Sequence, residues 1–168
     1  MPPLTSGLSG HFNKDDIMKH LHCLLVFVLL LVPLAAGNAQ SAQDTEQLLE
    51  TTEITYTQAA LYTLALVLDN PPEDGEGAFA LAREKGWLPK QAEGGGSVTL
   101  GGLSLLVMKA FDLQGGLFYR LFGSSRYAYR EMTRRRFIEG RAYSNLKVSG
   151  ERFLAILANV LAAEGGQL

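Results

Sequence analysis

Two stretches of the chain superpose without a gap when the sequence is shifted by 50 positions. Ala78 falls on Ala128, Phe79 on Tyr129, Trp87 on Phe137, Leu88 on Ile138, Val98 on Val148 and Thr99 on Ser149. Beyond the hydroxyl residue, Leu103, Leu106, Val107 and Ala110 fall on Phe153, Ile156, Leu157 and Val160. Both sets follow the i, i+3, i+4, i+7 spacing of a helix with one apolar face. Helices share that period by chance. Here, however, a helix, an aromatic-aliphatic pair, a polar loop, a Val-hydroxyl cap and a second helix recur in one order, which predicts a duplicated helix-loop-helix unit. Each copy has an apolar face that it cannot bury alone, so the copies must pack on each other. An ordinary five-helix bundle with coincident spacing is the competing reading.

Helices are expected around these anchors. Thr57 to Leu68 carries Leu61, Leu64, Ala65 and Leu68, and Asn70-Pro71-Pro72 stops it. A second helix runs from about Gly77 to Lys85, with Ala78, Leu81 and Ala82 inward and Gly86 as its stop before Trp87. Pro89 to Ser97, with Gly94-Gly95-Gly96, reads as a loop, and Thr99 caps a third helix to about Phe111. Gln114-Gly115-Gly116 breaks the chain, and Leu117 to Phe122 is an apolar connector, either a helical turn or a brief strand. Arg126 to Phe137 forms a fourth helix and Ser149 caps a fifth. The first helix, with Ile54 to Thr57 ahead of it, resembles the second half of such a unit. The expected fold is mainly α: a small bundle of about five helices built from a duplicated two-helix unit over residues 54–168.

Ahead of this domain, Lys19 and His20 precede the apolar run Leu24 to Leu34, and Gly37 and Ala39 follow as small residues before a cleavage bond. That order predicts a secretory signal peptide over residues 1–39 and an exported, periplasmic or envelope-associated protein. The run is shorter than the roughly 20 residues a bilayer span needs, and Pro33 interrupts it, which argues against a transmembrane helix. Starting at Met18 gives a compact basic opening, so Met18 is a candidate true start. Residues 40–53 are polar and acidic and read as a flexible lead-in. All three histidines (His11, His20, His22) and the only cysteine (Cys23) lie before the expected cut. A mature chain without them has no disulfide, Cys/His zinc site, Ser-His-Asp triad or Cys-His pair. No metal or other cofactor is expected.

The succession Gly86-Trp87-Leu88, a loop of about a dozen residues, then Val98-Thr99 opening an apolar helix, resembles the S-layer homology module of bacterial cell-envelope proteins. The resemblance covers roughly Gly75 to Phe111 and, less closely, Ser125 to Leu161. It implies helix-loop-helix repeats, attachment to the envelope and a hydroxyl residue opening a Thr-Arg-Ala-Glu-like motif, whose arginine helps bind anionic wall polysaccharide. The matching positions here are Thr99-Leu100-Gly101-Gly102 and Ser149-Gly150-Glu151-Arg152. The cap is kept and the binding motif is not, so the implication is an envelope protein rather than a defined ligand.

A net charge of −2 and a pI near 5.9 give no global reason to expect nucleic acid, so any basic patch is local. One such patch stands out. Arg126, Arg130, Arg134, Arg135, Arg136 and Arg141 are interleaved with Tyr127, Tyr129 and Tyr143. On a helix Arg126, Arg130 and Arg134 recur every four residues as a stripe bordered by Tyr127. Guanidinium groups suit phosphate or carboxylate, and tyrosine rings stack on sugar or peptide. The candidate site is therefore Arg126, Tyr127, Arg130, Arg134, Arg135 and Arg141, facing an anionic envelope polymer, lipid headgroups or an acidic protein partner. The plainer reading is a solvated face whose arginines pair with Glu131, Glu139 or Glu151.

Other features read as structural. Glu73-Asp74-Gly75-Glu76 lacks the ligand spacing of a calcium loop and suits an acidic turn at a helix start. Gly94-Gly95-Gly96 is not followed by Gly-Lys-Ser/Thr, and Trp87 suits a core plug. The chain shows no catalytic constellation. The alternative of another class is a small periplasmic hydrolase using paired carboxylates drawn from Glu84, Glu93, Asp112, Glu131 and Glu139.

Overall fold

The structure, a computed structural model, describes residues 46–140 and 143–165. The expected signal peptide, Met18 and residues 40–45 lie outside the described residues. The elements are α1 (Tyr56–Val67), α2 (Gly75–Glu84), α3 (Leu100–Ala110), α4 (Leu117–Phe122), α5 (Ser125–Arg134) and α6 (Gly150–Gly165). A further helical stretch spans residues 46–50, within the segment expected as a lead-in, and Leu48 there is buried. The chain is mainly helical, with α4 resolving the apolar connector as a helix rather than a strand.

Helix starts follow local chemistry. Thr55 accepts from the Gln58 amide while the Gln58 side chain accepts from the Thr55 amide, closing a capping box on α1. Asp74 accepts from the Gly77 amide at 2.7 Å, so the acidic turn caps α2. Thr99 accepts from Gly102 and Ser149 from Arg152 in the same manner. Helix ends are equally local. After α2, Gly86 turns left-handed (φ 68°), and the Gly86 and Trp87 amides return to Arg83 and Ala82. After α5, Arg136 adopts the same conformation (φ 61°), and the Arg136 and Phe137 amides return to Thr133 and Met132. That closure ends α5 at Arg134, three residues before the expected Phe137.

α3 is the central element, packed against α1 on one side and α5 on the other, while α2 packs on α1. Every residue from Leu100 to Met108 is buried, so α3 is enclosed all round rather than on one face. Gly102 permits this: a Cβ there would run into the Tyr56 phenol. On α1 the buried set is Tyr56, Ala59, Ala60, Thr63 and Leu64; of the expected stripe, Leu64 is buried, Leu61 and Leu68 pack partly buried against the core, and Ala65 is exposed, which corrects that position. The small Ala59 and Ala60 allow the helices to approach closely. On α6 the expected Phe153, Ile156, Leu157 and Val160 are all buried.

A ring of main-chain hydrogen bonds joins the segments that precede α1, α3 and α6. The Ile54 amide donates to Val148 (2.9 Å), Val98 to Ile54 (2.8 Å) and Val148 to Val98 (3.0 Å). All three side chains are fully buried. One residue earlier in each segment stand Glu53, Ser97 and Lys147: Ser97 Oγ donates to Glu53 Oε2 at 2.7 Å, and Lys147 Nζ to the same oxygen at 2.6 Å. The first helical amides then reach the neighbouring loop. Tyr56 and Thr57 donate to Gly96 and Gly94, Leu100 and Gly101 to Leu146 and Ser144, and Gly150 to Thr51. Helix amides that have no partner in their own helix are thereby satisfied by a different segment.

Candidate functional site

α5 presents Arg126, Arg130 and Arg134 to solvent because Ala128 and Met132 are its buried residues and Tyr127 and Tyr129 pack partly buried against the core. Tyr127, Arg130 and Arg134 line one open depression of about 420 Å³ together with Phe118, Tyr129, Glu131 and Thr133. Arg126 lines a separate depression with Thr99, Gly101, Ser144 and Asn145. The physical reason for the split is helical drift: four residues turn a helix by about 400°, so the stripe rotates by about 80° between Arg126 and Arg134. Arg135 Nη2 donates to the exposed Gln114 carbonyl, tying the end of α5 to the chain entering α4. Arg141 lies outside the described residues.

The remaining arginines differ in partnership. Arg134 donates through Nε (3.0 Å) and Nη2 (2.8 Å) to one oxygen of Glu131. Arg130 is exposed and has no hydrogen bond or ion pair among the described residues. The plainer expectation of internal pairing therefore fits Arg134, whereas Arg130 stands free beside the Tyr127 and Tyr129 rings. Arg152, on α6, donates to the Glu139 carbonyl.

Phe118, which lines the depression, and Phe122 of α4 stack on Tyr127 with centroids 5.9 and 5.4 Å away. That stack fixes the tyrosine ring. Tyr119 anchors α4 from the other side, buried and with Lys109 Nζ 5.8 Å from its ring centroid. Its hydroxyl has no hydrogen-bond partner among the described residues. Burial, and then the Asp112 carboxylate, push the phenol up to about 12, so it stays neutral. The signal for α4 in the sequence is its mostly apolar composition, interrupted by Arg120, beside the arginine run.

No protein-family model, curated protein or solved structure matches this chain.

The carboxylates considered for hydrolysis are scattered. Glu84, Glu93, Asp112 and Glu139 are exposed on different segments, and Glu131 is held by Arg134. Neither of the two depressions on α5 is lined by two of them. Among the described residues no group of three or more His, Cys, Asp or Glu side chains is placed to hold a metal ion. Trp87 is partly buried against the core, with Lys85 Nζ 5.3 Å from its ring centroid.

Proposed function

We propose that this chain is an exported cell-envelope binding module, built from repeated helix-loop-helix units of the S-layer homology kind, that contacts an anionic group through the face of α5. The observation that carries the proposal is Arg130: an exposed guanidinium with no partner among the described residues, set in a depression whose walls are the Tyr127, Tyr129 and Phe118 rings. A guanidinium beside aromatic faces suits a phosphate or carboxylate carried on an envelope polymer, a lipid headgroup or an acidic protein.

Export is supported by the order of Lys19, the apolar run Leu24 to Leu34 and the small residues Gly37 and Ala39. The repeat is supported by the offset of 50 positions and by the hydrogen-bonded ring of Ile54, Val98 and Val148. In this reading the segments before α1, α3 and α6 are corresponding parts of successive units. Co-sedimentation of the chain with cell-wall and membrane fractions over a salt series tests the function. Binding that falls with salt and is lost in Arg130→Glu supports it, and indifference to both overturns it.

A further inference from the structure

α4 carries four exposed large apolar side chains, of which Phe118 and Phe122 use one ring face each against Tyr127 and Leu117 and Leu121 have no ring partner. Leu117, Phe118, Leu121 and Phe122 are 74%, 60%, 69% and 58% exposed, and only Tyr119 turns inward. Gly115 and Gly116 precede the helix, and Gly123 (φ 53°) ends it, so the six residues stand out as a knob rather than continuing α3 or α5. Leaving four large apolar side chains in water is costly for a soluble surface, and such patches mark places where something binds.

The charge around the knob identifies its partner. From residue 115 to residue 136 the chain has six arginines against one carboxylate, Glu131, and that carboxylate is already held by Arg134. Arg120 is on α4 itself, and Arg130 shares a depression with Phe118. The Arg135 side chain reaches the carbonyl of Gln114, just ahead of the knob. A second copy of this chain packed about a twofold axis would set Arg120 and its neighbours against their own symmetry mates, which like charge opposes. A docked peptide needs a concave groove lined by apolar residues, whereas Leu117 and Leu121 line neither depression on α5 and Phe118 is joined there by Arg130, Glu131, Thr133 and Arg134. An apolar projection flanked by the Arg120 and Arg130 cations matches a soft apolar phase with an anionic rim.

We propose that α4 is a membrane-docking knob: Leu117, Phe118, Leu121 and Phe122 enter the boundary between headgroups and acyl chains of an anionic bilayer while Arg120 and Arg130 contact lipid phosphates. The inference rests on the anion-binding reading of α5 and names lipid as its partner. Interfacial segments bind by this division of labour, with apolar side chains buried at the acyl boundary and cations attracted to anionic lipid. The Phe118–Tyr127–Phe122 stack couples the knob to the arginine-bearing helix, so both arrive at the membrane as one surface.

The test uses the full chain with its single cysteine removed (Cys23→Ser) and an environment-sensitive fluorophore attached through Leu121→Cys or, as a remote control, through Ala162→Cys on α6. Vesicles contain either phosphatidylcholine alone or equal parts phosphatidylcholine and phosphatidylglycerol. The expected result is a blue-shifted, brighter emission from the position 121 probe on anionic vesicles only and no change at position 162. Adding Arg120→Glu and Arg130→Glu should weaken that response roughly tenfold or more. A position 121 probe that stays water-like on anionic vesicles, while Arg130-dependent sedimentation with envelope fractions persists, overturns the knob and leaves the anion-binding reading standing. Loss of Arg130 dependence in both assays overturns both. A blue shift that rises with protein concentration in the absence of vesicles assigns the knob to a second copy and overturns the lipid proposal.

Discussion

The Ile54 amide donates to the Val148 carbonyl at 2.9 Å, tying the segment before α1 to the segment before α6. Val98 completes the ring, so three sequence-distant segments share one buried hydrogen-bonded centre. Because an unpaired buried amide or carbonyl is costly, none of these segments leaves the ring without stranding polar groups of the other two. The ring fixes where α1, α3 and α6 begin. Through α3 it also fixes the seat of α5.

At the edge of that ring, Glu53 should influence the acid limb of the stability curve. The hydrogen bond from the Lys147 ammonium, then that from Ser97, hold its carboxyl below the ordinary 4.5. A depressed folded value means that the ionised carboxylate adds stability above pH 4.5, lost as pH falls through the folded value. Thermal melts of Glu53→Gln should therefore lie slightly below those of the parent near neutral pH and converge with them in acid. The effect is small because both partners are largely exposed. Curves that stay equally separated at every pH would contradict this.

Gly150 tests whether the 46–50 stretch belongs to the fold. A Cβ there would run into the Leu48 carbonyl, which is main chain and has little room to move. Gly150→Ala should lower stability by about 3 kcal/mol, read as the shift of a urea unfolding midpoint. An unchanged midpoint would show that Leu48 does not pack over the start of α6.

Arg136 occupies a left-handed position that Gly86 occupies after α2. An arginine there costs about 1 kcal/mol that a glycine does not, so Arg136→Gly should raise stability by about that amount. Differential scanning calorimetry reads this directly. A lower melting temperature would mean that the Arg136 side chain contributes more than its backbone strain removes.

Much of this architecture is legible in the sequence because it is set locally. Thr99 and Ser149 announce their helices through hydroxyl caps, and Phe153, Ile156, Leu157 and Val160 through periodicity. What escapes is set by tertiary contact. The 46–50 stretch buries only Leu48, too little for any period to show. α4 is six residues long, and periodicity cannot separate helix from strand over so short an apolar run. The inward face of α1 combines Tyr56 and Leu64 with the small Ala59, Ala60 and Thr63, a set that leucine spacing alone does not pick out. At the candidate site, a four-residue spacing groups Arg126 with Arg130 and Arg134 on paper, yet the drift of a real helix sets Arg126 beside Ser144 and Asn145. That Arg134 is paired and Arg130 free depends on the rotamers the two side chains adopt, which no spacing encodes.

The most direct test of the central claim is the salt dependence of binding to isolated cell-wall and membrane fractions, measured for the chain and for Arg130→Glu. Arg130 has no partner among the described residues, so its reversal should leave the unfolding transition unchanged while abolishing binding. The account predicts sedimentation that weakens steadily as salt rises and disappears in Arg130→Glu. Binding that is insensitive to salt and retained by a folded Arg130→Glu would contradict it.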